Sequence, residues 1–280
     1  MMKYLKGFFI KENKFFIILL AILVILTTVG AKNIIENKRD TNAKIVNANA
    51  LSNTKIGWGI KREKDHKQPD LGKVNSELIN KYEGISMGNN ESKKIYLTFD
   101  QGYEAGYTEK ILDVLKENNV SATFFITAHY LNTREDLVKR MIDEGHIVGN
   151  HTVNHKSMPD ISDEEIKSEV LKLHQSMYEK FGYEMKYIRP PKGEYSERTL
   201  SISNSIGYKT VMWSFAYKDW DEKKQNGEEK AKQIITENLH NGEIMLLHAT
   251  SKDNMNALDY VIKTAREMGY EFKSLDEFEK

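Results

Sequence analysis

From Lys94 onward, short apolar runs alternate with longer segments in which apolar residues recur every three or four positions. The short runs predict seven strands, at 94–99, 122–126, 147–150, 186–189, 209–213, 243–247 and 270–273. The longer segments predict six helices, at 108–118, 134–144, 162–181, 196–206, 228–240 and 254–268. Alternating strands and helices predict right-handed βαβ units and a parallel sheet. Seven strands fit a distorted (β/α)7 barrel better than an open doubly wound sheet, although the pattern alone permits both.

The first 91 residues lack this alternation. Four lysines precede an uncharged run at 15–31 that is rich in Ile, Leu and Val, which is typical of a signal peptide or a signal-anchor helix. The lysine bias places the bulk of the chain outside the cytoplasm, either membrane-anchored or secreted. Residues 32–91 are predicted to be a linker and an irregular extension. Within them, we expect Trp58 to pack on the domain rather than to stack on a sugar.

Charge and cysteine content narrow the function classes. Lys+Arg and Asp+Glu both number 41, so the net charge is zero and does not favour a nucleic-acid partner. The chain has no cysteine, which excludes disulfides, thiolate metal sites and a cysteine nucleophile. A metal site would therefore have to be built from histidine, carboxylate or amide ligands.

Polar residues gather where the predicted strands end. His151 and His155 follow the third strand and are four residues apart. On one helical turn they would point the same way and offer two ligands to a metal, whereas two solvated histidines are the alternative. In an α/β barrel the chemistry lies at the carboxyl ends of the strands. The residues at those ends are Asp100, Gln101, His129, His151, His155, Arg189, Asp219, Trp220 and His248.

Five segments in this region resemble, in order, the motifs of polysaccharide deacetylases, the NodB-homology domain. They are Thr98–Gln101, His151–His155, Arg189–Gly193, Asp219-Trp220 and Met245–His248. The resemblance implies a catalytic domain over 92–280 with a NodB-type barrel. Phe99–Glu104, Arg189-Pro-Pro and Gly57-Trp58-Gly59 are most similar to the subgroup that makes muramic δ-lactam.

The resemblance also implies catalytic roles. Asp100 would be the general base, with Arg189 holding and tuning it as an ion-pair partner. His248 would be the general acid that protonates the leaving nitrogen, oriented by Asp219. The backbone N–H of Lys192 would lie against the oxyanion.

A divalent metal, zinc by expectation, would be bound by His151 and His155. Most family members have an aspartate as third ligand where this chain has Gln101, so an anionic ligand is lost and metal affinity should be weaker. Trp220 would wall the sugar groove or belong to the core. His129 would be a substrate contact.

By the same resemblance, the substrate would be N-acetylmuramic acid in peptidoglycan glycan strands of the cell envelope or spore cortex. Muramic δ-lactam would follow, and activity would depend on an amidase that removes stem peptides. One alternative is deacetylation of chitooligosaccharide, xylan or intact peptidoglycan. Another is a non-catalytic glycan-binding protein whose metal site has degenerated. A zinc protease fits least, because residues 151–155 lack the glutamate of H-E-x-x-H.

Overall fold

The computed structural model describes residues 51–280, which form one compact unit. The predicted signal segment at 1–31 and the first part of the linker lie outside the described residues. Within residues 51–280, no helix is both long and apolar enough to cross a membrane.

Nine strands and eight α-helices make up the described chain. The strands are β1 (Ile56–Gly57), β2 (Lys94–Gln101), β3 (Thr123–Ile126), β4 (Ile147–Asn150), β5 (Tyr187–Ile188), β6 (Glu194–Tyr195), β7 (Lys209–Thr210), β8 (Glu243–His248) and β9 (Glu271–Phe272). The helices are α1 (Lys73–Lys81), α2 (Thr108–Glu117), α3 (Ala128–Thr133), α4 (Glu135–Asp143), α5 (Asp163–Phe181), α6 (Glu197–Ser205), α7 (Glu228–Glu237) and α8 (Lys252–Glu267).

Seven strands form one parallel sheet, as the alternation predicted. The order is β7-β5-β4-β3-β2-β8, and β9 pairs with the start of β2. Phe215, shortly after β7, makes a parallel bridge to Met245 in β8, so the two ends of the sheet approach each other. The sheet is therefore curled into the expected distorted barrel rather than an open doubly wound sheet.

Burial on both faces explains why the strands are nearly continuous apolar runs. In β2, all residues after Lys94 are buried. Phe125, on the inner face, fills the space beside Gly149 of β4 so closely that a Cβ there would lie 2.5 Å from its ring. Only glycine fits at that position.

The helices begin and end where local chemistry favours it. The Ser162 hydroxyl accepts a hydrogen bond from the Glu165 N–H at the start of α5, and Gly182 ends that helix with a φ of 62°. Two short helices, α1 and α3, were not predicted. α1 lies in the extension, which is more ordered than its weak periodicity indicated.

Register brings the strand ends together at one edge. Asp100 of β2 pairs directly with His248 of β8 and, on the other side, with Phe125 of β3. Asn150, the last residue of β4, pairs with Ile188 of β5. The loops that follow these strands therefore surround one point of the molecule.

Candidate active site

A cavity of approximately 1220 Å³ opens at the carboxyl ends of the strands. Of the ten residues predicted for the site, eight line this cavity, namely Asp100, Gln101, His129, His151, His155, Lys192, Trp220 and His248. The other two, Arg189 and Asp219, lie behind it and bind to members of the first group.

Asp100 is held ionised by a fully buried arginine. Arg189 Nη1 donates to Asp100 Oδ1 at 2.8 Å and to Thr98 Oγ1 at 2.9 Å. Its other nitrogens donate to the carbonyls of Val211 and Met212, so the guanidinium is fixed on three sides. Burial raises the pKa of Asp100, but the Arg189 charge and hydrogen bond, together with the neighbouring His151 and His248 imidazoles, outweigh burial, and the net pKa is below the ordinary value. Asp100 is therefore a carboxylate at neutral pH.

His248 is paired with a buried carboxylate, that of Asp219. Its Nδ1 lies 2.7 Å from Asp219 Oδ1, and its backbone N–H donates to Oδ2 at 2.8 Å. Asn254 Nδ2 also donates to Oδ2, at 2.6 Å. A carboxylate only accepts, so Nδ1 carries the proton and Nε2 is the nitrogen that exchanges protons. Burial lowers the pKa of His248, yet the charge and hydrogen bond of Asp219, together with the charge of Asp100, more than offset this, and the pKa is raised above its usual value.

His151 and His155, the predicted metal ligands, converge as expected. They do not lie on a helical turn, so that part of the prediction was wrong. Residues 151–157 form an irregular loop, with φ of 69° at Thr152 and 54° at His155. Glu169 of α5 holds the loop by accepting from the backbone and side chain of Asn154. His151 Nε2 and His155 Nε2 are 3.1 Å apart as a result.

The tautomer of His151 suits a metal ligand. Its Nδ1 lies 2.8 Å from the Arg189 carbonyl, which only accepts, so Nδ1 carries the proton and Nε2 has a free lone pair. Burial lowers the pKa of His151, and burial together with His151 lowers the pKa of His155 to about 4. Both imidazoles are therefore neutral near pH 7, which is the form that binds metals.

Gln101 is the third residue that we expected to bind the metal, in place of the family's aspartate. Its Nε2 donates to Thr108 Oγ1, which turns Oε1 the other way, and Oε1 is buried without a hydrogen-bond partner in the described chain. Within residues 51–280 there is no group of three or more His, Cys, Asp or Glu side chains placed to hold a metal. Two imidazole nitrogens and one unpaired amide oxygen fit a weakly held divalent cation better than a tight structural one.

Lys192 lies in a loop with unusual backbone geometry. The segment Pro191–Gly193 forms a single 3-10 turn in which Lys192 has a φ of 60° and Gly193 a φ of 65°. Lysine adopts this left-handed region only under constraint. Both residues line the cavity.

Aromatic residues surround the opening. Trp220 is 55% exposed, so the core alternative is wrong, and Lys218 Nζ lies 5.3 Å above its ring. His129 is exposed in α3, the short helix that follows β3. Tyr103, which also lines the cavity, donates from its hydroxyl to Glu222.

Three contributors were missed in the sequence. Trp213 and Tyr217 line the cavity, and Asn254 holds Asp219 from the start of α8. Trp213 ends the fifth predicted strand, so its place at the carboxyl edge was a usable signal. Nothing local distinguishes Asn254 from an ordinary helix-start residue.

Comparison with known proteins agrees with this arrangement. The polysaccharide deacetylase family model matches residues 87–211. The chain is 44% identical to the peptidoglycan-N-acetylmuramic acid deacetylase PdaA of Bacillus subtilis, over 83% of this chain and 90% of that protein. It is 31% identical to a peptidoglycan-N-acetylglucosamine deacetylase of Bacillus cereus, over 70% of this chain and 72% of that protein.

A solved structure extends the likeness to three dimensions. The structure of Bacillus subtilis PdaA, described as a family 4 carbohydrate esterase, superposes with a TM-score of 0.79 at 43% identity. The match covers 81% of this chain and 98% of that one. The curled parallel sheet and the loops at its carboxyl edge are thus an arrangement that the two proteins share.

Proposed function

The chain belongs to the polysaccharide deacetylase family of hydrolases, and we propose that it removes the acetyl group from N-acetylmuramic acid in peptidoglycan. The observation that carries the proposal is the meeting of two aspartate–cation pairs, Asp100–Arg189 and Asp219–His248, at one cavity, where Asp100 and His248 are paired on neighbouring strands. One pair supplies a base and the other an acid, which is what amide hydrolysis requires.

The residues act in sequence on water and an acetamide. Asp100 takes a proton from the water that attacks the acetyl carbonyl. The carbonyl oxygen becomes an oxyanion and accepts a hydrogen bond from the Lys192 backbone N–H. His248 then gives the Nε2 proton to the departing nitrogen, so that the carbon–nitrogen bond breaks to acetate and a free amine.

His151 and His155, with Gln101 Oε1, are the residues that would hold a divalent metal, and we propose zinc. Bound there, zinc would lower the pKa of the attacking water and polarise the carbonyl. The neutral Gln101 leaves the site one negative charge short of the usual ligand set. We expect the metal to bind reversibly. A chelator should remove it without unfolding the chain, since the barrel has its own apolar core.

The choice of N-acetylmuramic acid over N-acetylglucosamine has two supports. The likeness to PdaA is closer and covers more of the relative than the likeness to the Bacillus cereus enzyme. In addition, the exposed side chain of Lys192 puts a positive charge at the cavity wall. Muramic acid has a lactyl carboxylate that would match this charge, and glucosamine has none.

After deacetylation, the free amine and the lactyl carboxyl of the same sugar are placed to close the δ-lactam of spore cortex. The lactyl carboxyl must be free for this, so we propose that an amidase removes the stem peptide first. We further propose that residues 1–31 carry the chain out of the cytoplasm, as a signal peptide or a membrane anchor, and that 92–280 form the catalytic domain. A peptidoglycan N-acetylglucosamine deacetylase is the second candidate, favoured by the Bacillus cereus relative.

Acetate release tests the substrate. The purified protein is incubated with zinc and three glycans: peptidoglycan stripped of stem peptides by an amidase, intact peptidoglycan, and chitooligosaccharide. We expect rapid release from the stripped glycan only. Faster release from chitooligosaccharide would favour the second candidate, and no release from any of them would favour a glycan-binding protein without catalysis.

Mass analysis of cortex muropeptides tests the biological role. Cells that lack the protein should make cortex without muramic δ-lactam, and the wild-type gene should restore it. Cortex with normal δ-lactam content in the deletion strain would remove the cortex assignment, whatever the purified enzyme does.

A further inference from the structure

The extension that precedes the barrel is bonded to the cavity wall. β1 pairs antiparallel with β6, which follows the Lys192 turn directly. Immediately after β1, the Trp58 N–H donates to the Gly193 carbonyl at 2.8 Å. The turn that contains Lys192, the proposed oxyanion donor, is thus hydrogen-bonded to residues 56–58, which are far away in sequence.

The side chain of Trp58 reaches a second part of the wall. Its Nε1 donates to the Trp213 carbonyl at 2.8 Å, and its ring meets the Trp213 ring edge-on with centroids 6.4 Å apart. Trp58 is only 8% exposed, so packing on the domain, as we expected, is its role in the structure. One residue therefore holds both Gly193 and Trp213, and both line the cavity.

Gly193, Trp213 and Trp58 are tightly packed against one another. A Cβ on Gly193 would lie 2.6 Å from the Trp213 ring and 3.2 Å from Trp58 Cβ. The Trp58 side chain fixes Trp213 through the Nε1 bond, and the Trp213 ring lies directly against Gly193. A shift of the Trp213 ring after loss of that bond would therefore move the Gly193 backbone, and Lys192 with it. The left-handed φ of Lys192 is costly for a residue with a side chain and has to be imposed by such surroundings.

A second residue of the extension, Arg62, contacts the chain close to Trp213. The Arg62 guanidinium donates to the Ala216 carbonyl and lies over the Phe215 ring, 5.4 Å from its centroid. Phe215 bridges to β8, and Asp219 follows four residues later. The extension thus contacts the chain at Trp213 and again at Phe215 and Ala216, just after it.

We propose that Trp58 is a positioning residue for catalysis, which holds the Lys192 backbone N–H where the oxyanion forms. The proposal rests on the proposed function in one respect, the oxyanion role of Lys192. It assigns the extension a part in the chemistry as well as in stability. Trp58 acts through Gly193 and Trp213 and does not touch the substrate.

The matched control is Leu71. It lies in the same extension and the same apolar cluster as Trp58, with similar burial at 6% exposed, but it does not line the cavity. Leu71→Ala should therefore lower the melting temperature without changing kcat per folded molecule. A general loss of stability and a loss of positioning can be separated in this way.

The experiment measures kcat, KM and melting temperature for full-length wild type, Trp58→Ala, Trp58→Phe and Leu71→Ala. We expect Trp58→Ala to lower kcat by about 10- to 100-fold with little change in KM, because a misplaced donor weakens only the transition state. Trp58→Phe keeps most of the packing but lacks the Nε1 donor. It should fold normally and lose about 3- to 10-fold in kcat, which corresponds to about 0.65–1.4 kcal/mol in the activation free energy.

Equal kcat losses in Trp58→Ala and Leu71→Ala at equal melting temperatures would overturn the proposal, as would a wild-type kcat in Trp58→Phe. If Trp58→Ala does not fold, the Phe variant decides. The assay uses whichever acetylated glycan the wild type hydrolyses fastest. A wild type active on another glycan would therefore contradict the proposed substrate, while the Trp58 comparison would still stand or fall by itself.

Discussion

Two buried aspartates, Asp100 on the cavity wall and Asp219 behind it, differ in the cation that each one binds. Asp100 pairs with Arg189, which is fully buried and bonded to four oxygens. Asp219 pairs with His248, whose side chain is 25% exposed. Arginine does not release its proton in proteins, whereas histidine does so near neutral pH.

This difference assigns the roles. With a permanent positive partner, Asp100 has a lowered pKa and stays available as a base. Asp219 instead raises the pKa of its partner, so that His248 holds its proton to a higher pH than an ordinary histidine and can act as an acid. The same kind of aspartate–cation pair thus gives a base in one case and an acid in the other, with their pKa values pushed apart as hydrolysis requires.

Asp100→Asn should have the largest effect. Loss of the base should lower kcat/KM by about 10³- to 10⁴-fold. The variant also leaves the Arg189 charge buried without a counter-charge, which should cost about 3–5 kcal/mol of unfolding free energy. Acetate release and urea unfolding measure the two losses separately, and circular dichroism checks the fold. Activity within tenfold of wild type would rule out Asp100 as the base.

His248→Ala should come next, with a loss of about 10²- to 10³-fold in kcat/KM. The expected stability loss is smaller than in Asp100→Asn, because His248 is partly exposed and its removal leaves Asp219 with two remaining donors, the residue 248 N–H and Asn254. Unfolding curves of the two variants side by side test this ranking. A His248→Ala variant that is less stable than Asp100→Asn would contradict it.

Asp219→Asn should lower kcat/KM by about 10- to 100-fold at neutral pH through the pKa of His248. The charged, acidic form of His248 exists below its pKa and is lost as pH rises through it. Without the Asp219 charge this pKa falls, so the alkaline limb of the kcat/KM profile should move to lower pH. Part of the lost activity should therefore return as the pH is lowered. An unshifted alkaline limb would mean that Asp219 does not tune His248.

Asp219→Asn should also lower the free energy of unfolding, but by less than Asp100→Asn does. His248 can release its proton when its partner is neutralised, and Arg189 cannot. Thermal unfolding of both variants in one buffer at pH 7 checks this contrast.

Gln101→Asp should have the smallest effect on rate, less than about tenfold, because it changes neither aspartate pair. It adds a negative charge beside His151 and His155, so the dissociation constant for zinc should fall by about tenfold, or ~1.4 kcal/mol. Gln101→Asn has the same shape without the charge and is the control. Zinc titration by calorimetry distinguishes them, and equal affinities would show that residue 101 does not contribute to the metal site.

Much of the catalytic side of the molecule follows from the sequence. The seven strands appear as apolar runs because a parallel sheet covered by helices buries both faces of each strand. Asp100, His151, Arg189 and His248 could be placed together because parallel strands all end at one edge. Periodicity is a local property, so no distant contact was needed for either inference.

The tertiary structure decided the finer geometry. The histidine pair converges on an irregular loop held by Glu169, and not on a helical turn. Gln101 turns its free oxygen away from Thr108, and the Arg189 carbonyl selects the tautomer of His151. Each of these details depends on a hydrogen bond to a residue outside the motif, so the motif alone contains no signal for it.

The extension shows this division most clearly. Its sequence has weak periodicity, and a single tryptophan between two glycines was its main signal. The fold turns that tryptophan into a contact with Gly193 and Trp213, 135 and 155 residues further along the chain. Strand and helix periods are local, and they place the catalytic side chains at one edge of the sheet. Left-handed backbone angles and ring tautomers are imposed by distant neighbours, and only the folded chain brings those neighbours into contact.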